Sequence, residues 1–247
     1  MLDADLLRYS RHILLPQFGI AGHERLRAAT VLIVGLGGLG SPVALYLAAA
    51  GVGRLLLADF DSVELSNLQR QIVHHTDHIG LTKAESARRT LHALNSDVEL
   101  IAVERALTAE TLAAQLAGVD LVVECSDNFA TRFAVNAACY AARIPLVSGA
   151  AIRLEGQVTA FTGQPGGPCY RCLYPETDGA EETTCTATGV LAPVVGIIGS
   201  VQATEAIKIL AGLGAPLFGR LLLLDAFQMD WRTVRLRADP LCPVCGG

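Results

Sequence analysis

Val31-Leu-Ile-Val-Gly-Leu-Gly-Gly-Leu-Gly-Ser41 decides how this chain folds. Val31 to Val34 are aliphatic and mostly β-branched and read as a buried strand. Gly35, Gly37 and Gly40 follow in the G-x-G-x-x-G spacing, ahead of an apolar helical stretch. The first glycine permits a tight turn, the second lets backbone approach a ligand, and the third allows a helix to pack closely on a strand. Ser41-Pro42 fits an N-cap followed by proline at the first helical position. The free amides and positive dipole end of such a helix face an anion, so a phosphate is the expected ligand. Taken alone, the motif suits NAD, FAD and ATP equally.

The residues that follow narrow the choice. A helix over Pro42 to Ala50 stops at Gly51-Val-Gly53, and a second strand, Arg54 to Asp59, ends in an acid roughly twenty residues past the glycine loop. A Rossmann-type site places a ribose-binding carboxylate there. The polar run Asp61 to Gln71 comes directly after this strand, at the edge of the sheet where ligands bind, and Asn67, Arg70 and Gln71 offer it amide and guanidinium donors for phosphate. Lys83 begins the next helix, Ala84 to Leu94. His74, His75 and His78 have no cysteine or carboxylate at ligand spacing and read as solvated loop residues.

Strand Glu99 to Val103, helix Ala109 to Ala117 and strand Asp120 to Cys125 lead into Ser126-Asp127-Asn128. A carboxylate beside a polyphosphate is repulsive unless Mg²⁺ lies between them, so Asp127 favours a metal–nucleotide role over a dehydrogenase. Helix Phe129 to Ala142 and strand Pro145 to Ser148 complete the alternation. Gly156 to Phe161, Leu221 to Asp225 and Trp231 to Leu236 then read as antiparallel additions, with a long apolar helix, Val190 to Ala211, broken at Pro193, Gly196 and Gly199. Upstream, Asp5 to Arg11 and His23 to Ala29 read as short helices, the first with Arg8 and Arg11 on its polar side. The predicted fold class is α/β, a Rossmann-like, mostly parallel sheet with antiparallel C-terminal strands and a structural zinc site.

With 247 residues and 51% hydrophobic content, the chain can bury one large core as a single domain over 1–247. The net charge of -5 provides no general basic surface for nucleic acid. Its acidic start and interrupted apolar runs lead us to expect a cytoplasmic protein without a membrane span. Two of the seven cysteines' spacings are C-x-x-C, which in a reducing compartment argues for metal. Cys169, Cys172, Cys242 and Cys245 supply four thiolates for a closed, structural Zn²⁺ site. Cys185 lies in a polar Thr-Thr-Cys-Thr-Ala stretch that leaves it accessible, as a reactive or an inert thiol; Cys125 and Cys139 read as core.

Gly35 to Gly40, Asp59-Phe-Asp61, Ser66 to Gln71, Lys83, Ser126-Asp-Asn128 and the paired C-x-x-C motifs together resemble the MoeB/ThiF family of ubiquitin-activating-like adenylyltransferases, over nearly the whole chain. The resemblance implies a homodimer that binds ATP and Mg²⁺ and adenylates the C-terminal glycine of a small ubiquitin-fold sulfur-carrier protein ending in Gly-Gly. It assigns the nucleotide to Gly35, Gly37, Gly38, Gly40, Asp59, Asp61, Ser66, Asn67, Leu68, Gln69, Arg70, Gln71, Lys83, Asp127 and Asn128. Within that set, Arg70 and Lys83 bind phosphate, Asp127 is the Mg²⁺-associated catalytic acid and Asp59 holds the ribose. Arg11 matches an arginine that reaches into the partner subunit's site. Cys185 matches a cysteine that, in the thiamine branch of the family, joins a sulfur-transfer linkage to the carrier and, in the molybdopterin branch, is not required for adenylation. Ser148 to Gly156 looks like the molybdopterin branch, and Cys242 to Gly247 more like the thiamine branch. No rhodanese domain follows, so sulfur is expected from a separate sulfurtransferase or cysteine desulfurase. The expected organisation is N-terminal helices over 1–29, a nucleotide-binding half over 30–150, and a carrier-binding half over 151–247 with the zinc site and a mobile loop at about 173–188. Two other readings remain open at this point, an NAD-dependent dehydrogenase and a non-catalytic scaffold for a ubiquitin-fold partner.

Overall fold

The structure, a computed structural model, describes residues 3–174 and 188–246. Residues 175–187, and Cys185 with them, lie outside the described residues, as does most of the loop expected at 173–188.

One sheet runs through the molecule. At its centre β1 (Thr30–Val34) lies between β2 (Arg54–Ala58) and β4 (Leu121–Glu124), with β3 (Glu99–Val103) outside β2 and β5 (Leu146–Ile152) outside β4, all parallel. From there β6 (Glu155–Phe161), β7 (Arg220–Asp225) and β8 (Asp230–Arg235) extend the sheet antiparallel, as the change of pattern predicts. Strands covered on both faces read as unbroken apolar runs. Val31, Ile33, Leu121 and Val123 pack on one face against α3 (Gly19–Ala28), α4 (Gly40–Ala50), α5 (Lys83–Leu94) and α9 (Ala192–Ala211). Leu32, Val34 and Val122 face the other way, against α6 (Ala109–Gln115), α7 (Phe129–Ala142) and Tyr170 of the short α8 (Tyr170–Leu173).

Register fixes the site. Val34 pairs with Ala58 on one side and Glu124 on the other. Gly35, Asp59 and Cys125 therefore leave the sheet side by side at its carboxyl edge, between β1 and β4 where the strand order reverses, the crevice in which open α/β sheets hold ligands.

Four elements differ from expectation. The helix expected over Asp5 to Arg11 is two, α1 (Asp3–Arg8) and α2 (Ser10–Ile13), because the buried ring of Tyr9 turns inward beside Gly51 and His23. α3 starts at Gly19, ahead of the expected His23. β5 continues to Ile152: Gly149 and Ala150 lack a β-branched signal, yet Gly149 belongs there because a Cβ would meet the Gln202 side chain at 2.3 Å. α9 is continuous, with Pro193 in its first turn and Gly199 lying where a Cβ would strike Leu39 O at 2.5 Å, so Gly199 makes room for neighbouring backbone and neither it nor Gly196 breaks the helix. At 20 residues and a mean hydropathy of 1.5, α9 is also long and apolar enough to cross a membrane. Here it is the core helix: its Gln202 donates to Glu124 O at 2.9 Å, and its Glu205 accepts from Leu217 N.

Candidate nucleotide site and metal centre

The glycine loop has the geometry its spacing implies, with one change. Gly35 has φ +89°, and a Cβ on Gly40 would sit 1.9 Å from Gly35 O, so helix and strand meet at a distance that only glycine permits. Leu39, not Ser41, caps α4; the Ser41 hydroxyl instead turns back and donates to Gly37 O at 2.7 Å. The free amides of the loop still open onto a cleft of about 660 Å³ lined by Gly35, Gly37 and Gly38.

Asp59 lines this cleft too. Its Oδ2 accepts the Leu36 amide at 2.8 Å and its Oδ1 the Asp61 amide at 2.9 Å. Burial pushes its pKa up, against the opposing pull of Lys83 and of these two amides. α5 starts at Lys83, as expected, with Thr82 accepting from Glu85 N as the cap. The Lys83 ammonium is nearly buried and lies 2.8 Å from Asp61 Oδ2, which holds it at the mouth.

A second, adjoining cleft of about 570 Å³ is lined by Asp61, Ser66, Asn67, Gln69, Arg70, Gln71, Lys83 and Asp127. The polar run that lines it forms a short 3₁₀ turn, Leu65–Asn67. Asn67 spends its carbonyl on Glu64 N at 3.2 Å, so it shapes the turn, while Arg70 rests on Ser66 O at 3.1 Å with most of its donors uncommitted. Gln71 is buried with its Oε1 unpartnered, and its Nε2 faces the glycine loop 3.5 Å from where a Gly37 Cβ would lie. Asp127 is exposed after β4 and borders both clefts. Asn128 caps α7, its Oδ1 accepting from Thr131 N at 2.8 Å.

The structure thus brings Asp59, Arg70, Gln71, Lys83 and Asp127 around one space. Two cations and a ribose-type carboxylate line the same cleft as the glycine loop, a set that suits a nucleoside polyphosphate. Leu68 lines neither cleft, Gly40 supports the loop from behind, and Arg11, exposed on α2, is in neither cleft of this single chain.

Two groups escaped sequence reasoning. Glu124 is a wholly buried carboxylate at the end of β4, accepting from Ser126 N at 2.6 Å and from Ser148 Oγ at 3.2 Å; burial pushes its pKa up. Arg132, one turn into α7, answers it at 3.6 Å and donates to Ser126 O at 2.7 Å and Tyr170 Oη at 3.3 Å, fixing the loop that carries Asp127. A charged residue ending the apolar run Leu121-Val-Val-Glu124 was the available signal. The other is His74, expected in solvent and in fact buried between Leu36 O and Ser86 Oγ; His78 is half-buried on the same serine, and only His75 is exposed.

Beside Tyr140 of α7, the Sγ atoms of Cys169, Cys172, Cys242 and Cys245 all lie within 4.8 Å of one another, with Cys169–Cys242 at 3.6 Å and Cys172–Cys245 at 3.3 Å. Zn–S bonds of about 2.3 Å give a tetrahedral edge of about 3.8 Å, so the cluster fits zinc. Asp239 N points at Cys172 Sγ from 3.4 Å, a donor suited to a thiolate. Cys125 and Cys139 are buried, their thiols pushed up by burial, Cys139 to about 12, in keeping with core positions.

Fold and site together define an α/β protein of nucleotide-binding type with an appended four-cysteine cluster that suits zinc. The chain belongs to the ThiF family, whose model matches residues 9–244. It is 51% identical over 244 residues to the molybdopterin-synthase adenylyltransferase of Escherichia coli K12, covering 99% of this chain and 98% of that protein. It is also 47% identical over 247 residues to the sulfur carrier protein ThiS adenylyltransferase of the same organism, covering 100% and 98%. Among solved structures, E. coli MccB with MccA-N7isoASN shares the fold at a TM-score of 0.86 and 24% identity, over 98% of this chain and 75% of that one.

Proposed function

We propose that this protein is a nucleotidyltransferase that uses ATP to adenylate the C-terminal glycine of a small ubiquitin-fold sulfur-carrier protein. The carrying observation is the convergence of Arg70, Lys83 and Asp127 on the clefts below the glycine loop, in a chain close to half identical to two such adenylyltransferases along its whole length. A carboxylate is a poor acyl donor because oxide leaves badly. When a carboxylate oxygen attacks the α-phosphorus, the bond to the bridging oxygen breaks, pyrophosphate departs with that electron pair, and the carrier keeps AMP as a good leaving group. Charge grows on phosphoryl oxygens during this transfer, so fixed cations contribute most. Lys83 and Arg70 supply them, Asp59 orients the ribose, and the exposed Asp127 carboxylate is a suitable ligand for Mg²⁺, which when bound would neutralise charge on the departing pyrophosphate. No observation favours a dehydrogenase or a scaffold.

The finer assignments belong to the same proposal. Arg11, free of either cleft in one chain, acts across a homodimer. Cys185 links to the carrier only if the carrier serves the thiamine branch, and a separate sulfurtransferase or cysteine desulfurase delivers sulfur in the cytoplasm. The test is carrier-dependent ATP–pyrophosphate exchange: the wild type exchanges, Asp127→Ala loses about 100-fold or more while still binding ATP, and Cys185→Ser retains exchange. Exchange without any carrier contradicts the reading.

A further inference from the structure

The segment following the phosphate-binding turn does more than connect it to α5. His74 is buried, with Nε2 2.9 Å from Leu36 O and Nδ1 2.8 Å from Ser86 Oγ. A carbonyl only accepts, so Nε2 carries the proton and donates. Burial holds this imidazole neutral, its pKa pulled down to about 4, so Nδ1 is an acceptor and takes the Ser86 hydroxyl proton. That leaves Ser86 Oγ to accept from His78 Nδ1 at 2.9 Å. The relay has one direction throughout: His78 to Ser86 to His74 to the backbone of the glycine loop.

Its end point matters because of peptide geometry. Leu36 is wholly buried, and both peptides flanking it are pinned: Asp59 accepts its N–H at 2.8 Å and His74 donates to its C=O. In a trans peptide the C=O and the following N–H point in opposite directions. Holding Leu36 O toward His74 therefore turns the Gly37 N–H away from it, toward the cleft that Gly37 lines. Among the described residues, the Gly37 amide donates to no backbone acceptor. Ser86 lies one turn along α5 from Lys83, and Thr90 on the same helix donates to Val73 O at 2.8 Å. One helix thus presents a cation to the cleft and braces the loop on its other side.

We propose that His74 is a positioning residue for phosphate recognition, fixing the Leu36–Gly37 peptide so that the Gly37 amide is aimed at a phosphate of the bound nucleotide before it arrives. The proposal rests on nucleotide binding in this cleft. Preorganised donors are worth more than donors that must turn on binding, and the loss of one such donor corresponds to about tenfold in affinity.

The experiment compares ATP and adenosine binding, by calorimetry, in the wild type and in His74→Gln, His74→Asn and His74→Leu, each first checked for folding by thermal unfolding. Glutamine carries an N–H at the place of Nε2; asparagine reaches only the place of Nδ1. The expected result is ATP affinity retained within about twofold in His74→Gln and reduced about tenfold in His74→Asn and His74→Leu, with adenosine affinity unchanged in all three. Should His74→Leu not fold, the Gln and Asn pair carries the comparison. Equal losses for ATP and adenosine, or rescue by Asn as good as by Gln, overturn the proposal. A wild type that binds neither ligand instead refutes the nucleotide reading beneath it.

Discussion

Two loops of this molecule are held in place by opposite means. Gly35 to Gly40 is fixed by the protein itself: Gly35 N to Ala58 O at 2.8 Å, Leu36 N to Asp59, Leu36 O to His74, and a helix–strand approach that no side chain fits between. Cys169 to Cys172 and Cys242 to Cys245 are 73 residues apart and form a small satellite cluster, joined by Tyr140 and Val244, beside the main core. No described strand or helix follows Arg235, and Leu241 is 90% exposed. The first loop is held by contacts within the fold itself; the second has four thiols placed where a metal ion would tie its two halves together. A site for chemistry needs the former, since turning donors toward charge during the reaction costs the stabilisation they supply.

The sharpest way to break this comparison is Gly40→Ala. A methyl 1.9 Å from Gly35 O has nowhere to go, because both partners are backbone, and a loss of about 4 kcal/mol or more of unfolding free energy is expected in urea melts. Gly37→Ala is the internal control: its Cβ would rest 3.5 Å from the flexible end of Gln71, so the variant folds. Equal stability of the two variants would show that close approach is not what shapes the cradle.

Metal removal probes the other loop. Chelation under reducing conditions is expected to lower stability by about 2–4 kcal/mol and to raise amide exchange over residues 237–246 and 170–174, leaving β1, β2 and β4 protected. Uniform loss of protection would mean that the metal supports the whole sheet rather than its edge.

How far these loops were legible in sequence follows from the same difference. Backbone devices leave local signatures: the glycine spacing, the β-strand before it and the acid at Asp59 announced the cradle, and paired C-x-x-C motifs announced the knuckle. Long-range contacts leave none. His74 looked like surface because its partners, Leu36 and Ser86, are 38 and 12 residues away in the chain. Arg132 looked like any helix residue, since Tyr170, 38 positions on, gives it meaning. The break at Tyr9 and the continuity of α9 were hidden likewise, the first decided by the room that Gly51 leaves for the Tyr9 ring and the second by the close approach of Leu39 to Gly199. The ligand roles of Arg70 and Asp127 were read from residue type and position, that of Lys83 from the family resemblance; all three await the exchange assay, although their meeting around one space does not depend on it.

The smallest effect on folding is expected where the sheet ends. All six residues of β8 are exposed, including Trp231 at 41% and Val234 at 46%, and the turn before it shows Phe227 at 76% and Met229 at 62%. An edge strand of this kind offers unpaired backbone and apolar surface to another chain. Arg232, on the same strand, lines the large cleft, so a partner lying on this edge has a short path for its tail to the nucleotide. Trp231→Ala removes a half-exposed ring and no buried hydrogen bond. It should change unfolding free energy by less than about 1 kcal/mol and leave ATP affinity alone. If the carrier docks here, the same substitution raises the carrier concentration needed for half-maximal exchange by about tenfold, the weight of an aromatic anchor at an interface. Unchanged carrier dependence would move the docking surface elsewhere. Destabilisation as large as that of Gly40→Ala would show instead that β8 is part of the core that shapes the cradle.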